Sequence, residues 1–463
     1  MQTAESYDAI IVGAGQSGMP LASAFAGNSL RTALIERRYV GGTCINDGCT
    51  PTKSMLASAR VAHVCRQSAD FGVHHGQISV NLHEVRQRKQ SIVEDFRQGD
   101  RKKFEQDANI DLIEGEATFN GPATLQVDVA DGSKRIITAK TIVLDLGTRP
   151  RLPEIEGLDS IEALTSTSIM ELDVLPDDLL IHGGGYVGVE FAQMFARFGT
   201  SVSLIERSDQ VLVQEDADIA AEIVNLLRAE GVDVLLQTHA VAARPSASGG
   251  IELEVHGPTG TRTLHAAKLL LATGRVPNTD AINAPAGGIE LDDKGYIKTD
   301  DQLKTSASGV YATGDVKGGP AFTHISYDDY RVLAANLLEG ADRSIADRLV
   351  SYTVYTDPQL GRVGLNEKQA RQQNRGVRVA QMPLSYVARA IEVGETRGLM
   401  KAVVDADSDQ ILGCSIFGLQ GGELMSALQI AILGGVPFTV LRDAPFAHPT
   451  LAESFNNLFA TVE

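Results

Sequence analysis

The sequence predicts an α/β fold in which two parallel-sheet units precede a separate C-terminal α+β region. Three observations carry this. A short apolar run closed by a glycine turn opens the chain, the same arrangement recurs from Leu179, and the pattern changes after Tyr330. The first run, Tyr7 to Val12, is β-branched and leads into Gly13-Ala14-Gly15-Gln16-Ser17-Gly18, after which Leu21, Ala22 and Phe25 recur at helical spacing. A second strand, Arg31 to Ile35, ends at Glu36. Strand, glycine turn, helix, strand and terminal acid make up the Rossmann-like dinucleotide-binding unit.

Downstream, Leu179-Leu180-Ile181-His182 leads into Gly183-Gly184-Gly185-Tyr186-Val187-Gly188, then a helix through Phe198 and a strand, Ser201 to Ile205, ending at Glu206. Two such units imply two dinucleotides, because a duplication with every part in place is far more specific than a lone glycine motif. Gly13, Gly15 and Gly18, with Gly183, Gly185 and Gly188, allow a tight turn, close approach to a diphosphate and close helix packing. Glu36 and Glu206 are expected to accept ribose hydroxyls; the plainer alternative is that each merely ends a strand. Strands Thr141 to Leu144 and Lys268 to Leu271 run into Gly147-Thr148-Arg149-Pro150 and Gly274-Arg275-Val276-Pro277, expected crossover points. After Tyr330 comes a helix, then strands near Thr353-Val354-Tyr355, Leu399 to Val404 and Ile411 to Ile416.

Composition narrows the function. The chain has 463 residues, 43% apolar and 22% charged, which is globular, and no window approaches the roughly 18 apolar residues of a membrane span. A net charge of −18 repels phosphate backbones and anionic lipid, so neither nucleic acid nor membrane is an expected partner. Four cysteines are too few for a disulfide-stapled secreted fold and the N-terminus lacks a signal-peptide pattern, so a cytoplasmic location is expected.

Chemistry concentrates in Gly41-Gly42-Thr43-Cys44-Ile45-Asn46-Asp47-Gly48-Cys49-Thr50-Pro51-Thr52-Lys53. In a regular helix, residues five apart have Cα atoms roughly 8.7 Å apart, beyond the roughly 7 Å limit for a disulfide. A Cys44–Cys49 bond therefore needs a distorted turn, which Asn46, Asp47 and Gly48 tolerate. Strained, accessible disulfides tend to be catalytic. Two unrelated core cysteines or half of a metal site are the alternatives, although Cys65 and Cys414 are isolated.

This segment resembles the signature of the class I pyridine nucleotide-disulfide oxidoreductases, the family of dihydrolipoamide dehydrogenase, glutathione reductase and mercuric reductase. Further marks are the second glycine loop ending at Glu190, Ala272-Thr273-Gly274, Tyr311-Ala312-Thr313-Gly314-Asp315-Val316 and His448-Pro449-Thr450-Leu451-Ala452-Glu453. The resemblance implies an FAD domain over residues 1–145 and 275–345, an NAD(P) domain over 146–274, and an interface domain over 346–463 that forms a homodimer. By motif, Gly13, Gly15, Gly18 and Glu36 bind the FAD adenosine and diphosphate, Thr43 lies near the phosphates, and Gly314 and Asp315 hold the ribityl chain. Lys53 sits by the flavin, paired with Glu190, and Tyr186 covers the flavin until nicotinamide displaces it. Cys49 stacks on the flavin while Cys44 exchanges with substrate. His448, oriented by Glu453, is the base offered to the other subunit's Cys44; without the resemblance, Thr450 to Glu453 reads as a helix capping box.

Several positions depart from the family pattern. Leu144-Asp145-Leu146-Gly147 replaces the usual Ala-Thr-Gly, Asp47 replaces an apolar residue between the cysteines, and Pro20 falls early in the first helix. Phe322 to Tyr330 and Phe455-Asn456-Asn457-Leu458-Phe459 look most like the mercuric-reductase-like branch that includes a cupric reductase. The C-terminal cysteine pair of mercuric reductase is absent, the chain ending Phe459-Ala460-Thr461-Val462-Glu463.

The resulting expectation is an FAD enzyme that passes electrons from NAD(P)H to Cys44–Cys49 and on to an acceptor: first a small disulfide, because His448 is present to manage the thiol proton, and second a thiophilic metal ion, for which the branch resemblance and the anion at Asp47 speak. NADH is the expected donor, since Glu206 repels a 2′-phosphate; Arg207 resembles one of the two arginines of NADPH-specific relatives, and Val213 holds the second place. A dihydrolipoamide dehydrogenase subunit and a flavin-binding redox sensor are the alternatives.

Overall fold

The computed structural model describes residues 4–247 and 249–462, so Glu463 lies outside them. The chain divides into two compact units. One comprises Met1–Ser54, Glu84–Arg151 and Gly274–Arg348; the other comprises Met55–His83, Leu152–Thr273 and Leu349–Glu463.

In the first unit, β1 (Glu5–Val12), α1 (Gly18–Gly27) and β2 (Thr32–Glu36) form the expected opening, with Pro20 inside the first turn of α1 where its missing N–H is not needed. Two helices then carry the cysteines, α2 (Gly42–Asn46) and α3 (Cys49–Gln67), of which α3 belongs to the first unit only as far as Ser54. Next come α4 (Leu82–Glu105), β3 (Ile110–Gly121), β4 (Thr124–Val129) and β5 (Lys134–Leu144). β1 lies between β2 and β5 in parallel register, β3 continues the parallel sheet beyond β2, and Val310–Ala312 extends it beyond β5. Ile10, Ile11, Leu34 and Val143 are fully buried, as befits strands covered on both faces. β4 pairs antiparallel with both β3 and β5, adding a meander to which the strands expected from sequence have no counterpart.

In the second unit, the parallel order is Lys268–Leu271, Asp178–His182, Ser201–Ile205 and Asp233–Leu235. An antiparallel sheet of His239–Pro245, Ile251–Gly257 and Gly260–Ala266 is inserted before the returning strand. The C-terminal region is a five-stranded antiparallel sheet backed by helix Gly421–Leu433. Arg197, almost fully buried, joins this region to the nucleotide unit through Glu230 at 2.8 Å and Asp357 at 2.6 Å.

Candidate active site

The cysteines sit at a helix break. α2 ends at Asn46 and α3 begins at Cys49, and the residues between them, Asp47 and Gly48, supply the distortion that the spacing demanded. Gly48 is sterically required, because a Cβ there would lie 2.8 Å from the Thr43 carbonyl oxygen. Both cysteines are thiols here, and Cys44 is hydrogen-bonded to Cys49. That hydrogen bond, and then burial, push the Cys44 thiol well above its ordinary value, while Thr323 and the Lys53 ammonium act in the opposite direction. Thr323, first residue of the helix Thr323–Leu338, places its hydroxyl 3.4 Å from Cys49 Sγ.

Asp47, between the cysteines, is mostly covered and its carboxylate is ion-paired with Arg38 at 3.0 Å, which offsets part of its charge. Arg38 reaches it because the Gly41 turn folds the chain back onto the glycine loop, where Gly41 N–H donates to the Ala14 carbonyl at 2.9 Å.

The two terminal acids are held in the same way. Glu36 accepts the N–H groups of Ala14 at 2.9 Å and Arg38 at 2.8 Å; Glu206 accepts those of Gly184 at 2.7 Å and Ser208 at 2.8 Å. Each carboxylate is thereby fixed at the lip of its glycine turn, with lone pairs to spare for ribose hydroxyls. Arg207 is exposed. The turns match as well: a Cβ on Gly13 would fall 2.1 Å from the Asp145 carbonyl oxygen, and one on Gly183 would fall 2.4 Å from that of Ala272.

The first turn suits FAD. A Cβ on Gly42 would sit 2.8 Å from Gly15 Cα, so the cysteine segment packs directly on the turn, with Thr43 exposed beside it. Ser17 Oγ and Thr313 Oγ1 are buried without a hydrogen-bond partner, leaving polar capacity at these turns. Asp315, after Gly314, accepts the Thr148 hydroxyl at 3.0 Å, and Arg275, after Gly274, clasps Thr148 through Nε at 2.7 Å.

In the second unit, Glu190 is buried on the helix Tyr186–Phe198 and accepts the Tyr355 N–H at 2.8 Å. Tyr186 opens that helix after Gly185 and packs 5.3 Å from Tyr352, whose hydroxyl bonds Glu215, itself paired with Arg362 at 3.1 Å. His448 is exposed, and its Nδ1 lies 2.9 Å from Glu453 Oε2. Half of the capping box is formed, the Thr450 hydroxyl accepting the Glu453 N–H at 3.3 Å, but the last helix begins only at Ser454 and the Glu453 carboxylate turns to His448.

Sequence reasoning did not assign Thr323, Arg275 or Tyr352 to the site. Thr323 and Arg275 lie in segments already singled out by pattern, but only the fold brings them to the cysteines and to Asp315. Among the described residues, no helix is long and apolar enough to cross a membrane.

Comparison with known proteins agrees with this geometry. Residues 7–329 match the family model described as pyridine nucleotide-disulphide oxidoreductase, and residues 350–459 match that family's dimerisation domain. A probable pyridine nucleotide-disulfide oxidoreductase of Escherichia coli, RclA, is 36% identical over 99% of both chains. A mercuric reductase of Bacillus cereus is 33% identical over 96% of this chain and 70% of its own. The solved Cu(II) complex of the HOCl-induced flavoprotein disulfide reductase RclA from Escherichia coli superposes with a TM-score of 0.90, at 35% identity, over 99% of this chain and 100% of that one. With both domain models matched in order, the chain belongs to the pyridine nucleotide-disulphide oxidoreductase family and is an FAD-dependent, NAD(P)H-using oxidoreductase with a dimerisation domain.

Proposed function

We propose that this enzyme reduces a thiophilic metal ion of the Cu(II) class with electrons drawn from NADH, and that Cys44 and Cys49 deliver them. The observation that carries this reading is the contact between the two thiols at the helix break, beside Thr323 and within the field of Lys53. Two sulfurs so close form a soft donor pair for a thiophilic ion. Oxidation of the dithiol to the Cys44–Cys49 disulfide releases two electrons and two protons, and two Cu(II) ions accept one electron each to become Cu(I). The Cu(II) complex of the Escherichia coli relative and the mercuric reductases support this acceptor class.

FAD supplies the two-electron relay between nicotinamide and disulfide when bound. Residues 1–145 and 275–345 hold it, with Glu36 on its ribose, the N–H groups of the Gly13–Gly18 turn and Thr43 on its phosphates, and Asp315 on its ribityl chain. Residues 146–274 take NADH, with Glu206 on the adenosine 2′-hydroxyl, and Tyr186 covers the nicotinamide site. Lys53 fixes the polarity beside the flavin. Residues 346–463 pair two chains in a cytoplasmic homodimer.

A second reading, a small disulfide as acceptor, is favoured by the His448–Glu453 pair at 2.9 Å. The Cys44 thiolate then attacks one acceptor sulfur, the other leaves as a thiolate that His448 across the dimer protonates, and Cys49 closes the internal disulfide. The deciding experiment is NADH oxidation by the purified holoenzyme with Cu(II), Hg(II) or low-molecular-weight disulfides. Turnover with a metal ion that vanishes in Cys44→Ser supports the proposal; turnover with disulfides alone replaces it with the second reading.

A further inference from the structure

The two glycine turns differ at one buried position. Where the second unit has Ala272 beneath its turn, the first has Asp145, the residue after β5. Its own N–H extends the sheet by donating to the Val12 carbonyl at 2.8 Å. Its side chain points into the turn: Oδ2 accepts the Gly18 N–H at 2.8 Å, and the Ser17 N–H contributes as well. The space around the carboxyl is shaped by glycines on two loops. A Cβ on Gly15 would lie 2.6 Å from Oδ2, and one on Gly314 would lie 2.8 Å from Oδ1. In the second unit a Cβ on Gly185 would meet nothing within 4 Å, and one on Gly188, although only 1.8 Å from the Gly183 carbonyl oxygen, would meet nothing of Ala272 closer than its methyl at 3.6 Å.

We propose that Asp145 is a positioning residue for FAD, a brace that ties the Gly13–Gly18 turn to the Gly314–Asp315 turn so that both faces of the flavin cradle are held together. Deepening the assignment of the first unit to FAD, it rests on that reading. An alanine at this place, as in the second unit, leaves the turn without that tie.

The surroundings fix the state in which the brace works. Asp145 faces Asp315 on the adjoining turn and Asp329 on the helix Thr323–Leu338. Asp329 is offset by Lys317 at 3.3 Å and Arg348 at 2.7 Å and accepts the Gly314 N–H at 2.8 Å; Asp315 has the Thr148 hydroxyl and the nearby Arg275. Burial, opposed by the Gly18 N–H and reinforced by Asp315, raises the Asp145 carboxyl well above the usual carboxylate range. A diphosphate held at the same helix end would add negative charge and push the carboxyl further in the same direction. The linkage sign follows. FAD retention is complete below the flavin-free pKa of Asp145 and weakens as pH rises through the higher flavin-bound value.

The test is the rate at which the full-length holoenzyme releases FAD, read as free-flavin fluorescence across about pH 5 to 10, where retention should fall by up to about tenfold per pH unit once the acid ionises. Asp145→Asn, which keeps the acceptor for Gly18 but has no proton to lose, should hold FAD at every pH and abolish the slope. Asp145→Ala, the arrangement of the second unit, should release FAD faster at every pH, again without a slope. A carboxylic-acid C=O band in the infrared spectrum of the holoenzyme, missing from Asp145→Asn, supports the same assignment without any binding measurement. A flat wild-type profile, or a slope that persists in Asp145→Asn, overturns the proton linkage; equal FAD release from Asp145→Ala and Asp145→Asn overturns the brace. Absence of FAD from the purified wild-type protein would overturn the cofactor assignment itself, an outcome separate from these.

Discussion

The first and second nucleotide units share a backbone and differ in what lies beneath it. Both have a glycine pressed onto the strand-end carbonyl, 2.1 Å from Asp145 O and 2.4 Å from Ala272 O for an added Cβ, and both have an acid clamped by a pair of N–H donors. Beneath the turn, the first unit carries a buried carboxyl and the second a methyl. The difference matches two tasks: a resident cofactor benefits from an extra tie, whereas a nicotinamide that must leave after each turnover does not.

The largest expected effect comes from breaking each turn in turn. Ala at Gly13, where φ is +107°, forces a clash with backbone and a backbone region that L-residues avoid. A cost of about 3 to 4 kcal/mol would lower FAD affinity between about a hundred- and a thousandfold. Gly183→Ala, at φ +117°, should leave FAD content intact and raise KM for NADH instead. Flavin loss in both variants would erase the division of labour between the units.

The next effect concerns His448. His448→Ala should leave FAD content and flavin reduction by NADH nearly unchanged, yet slow reduction of a small disulfide by about 10²-fold in rapid-reaction measurements. Metal-ion reduction, with less need of a proton donor, should suffer less. No loss with either acceptor would remove His448 from the mechanism.

Donor preference sharpens the comparison of the two acids. With Glu206 fixed by Gly184 and Ser208, kcat/KM should favour NADH over NADPH by about tenfold, or about 1.4 kcal/mol. A tenfold preference for NADPH would show that the exposed Arg207 outweighs the carboxylate.

The smallest effect is expected at Thr323. Its hydroxyl helps to stabilise the thiolate form of Cys44, so Thr323→Val should slow alkylation of the reduced enzyme near neutral pH by about three- to tenfold, and Thr323→Ser should restore it. An equal loss in the Val and Ser variants would point to packing rather than hydrogen bonding.

Much of this was legible from local pattern. Glycine spacing, the strand-end acids and the irregular helix needed to join Cys44 and Cys49 are all consequences of short-range geometry. What escaped depends on contacts between distant segments. Asp145 stood out as an anomaly, but its meaning required Gly18, 127 positions away, and Gly314 on another loop. Thr323 lies 274 positions from Cys49, and no periodicity announces it. The charge of Asp47 is visible in the sequence, while its partner, Arg38 across a turn, is not. Thr450 and Glu453 have the spacing of a capping box and the Thr450 hydroxyl accepts the Glu453 N–H, yet the helix starts three residues later than such a box requires and the acid's carboxylate serves His448.

The central claim is that electrons leave through Cys44 and Cys49. Anaerobic titration of the holoenzyme with NADH tests it most directly. The wild type should take up two electrons beyond those of the flavin and display a long-wavelength thiolate-to-flavin absorption, which Cys44→Ser retains and Cys49→Ser loses. Electron uptake limited to the flavin alone in the wild type, or loss of the band in both variants alike, would contradict it.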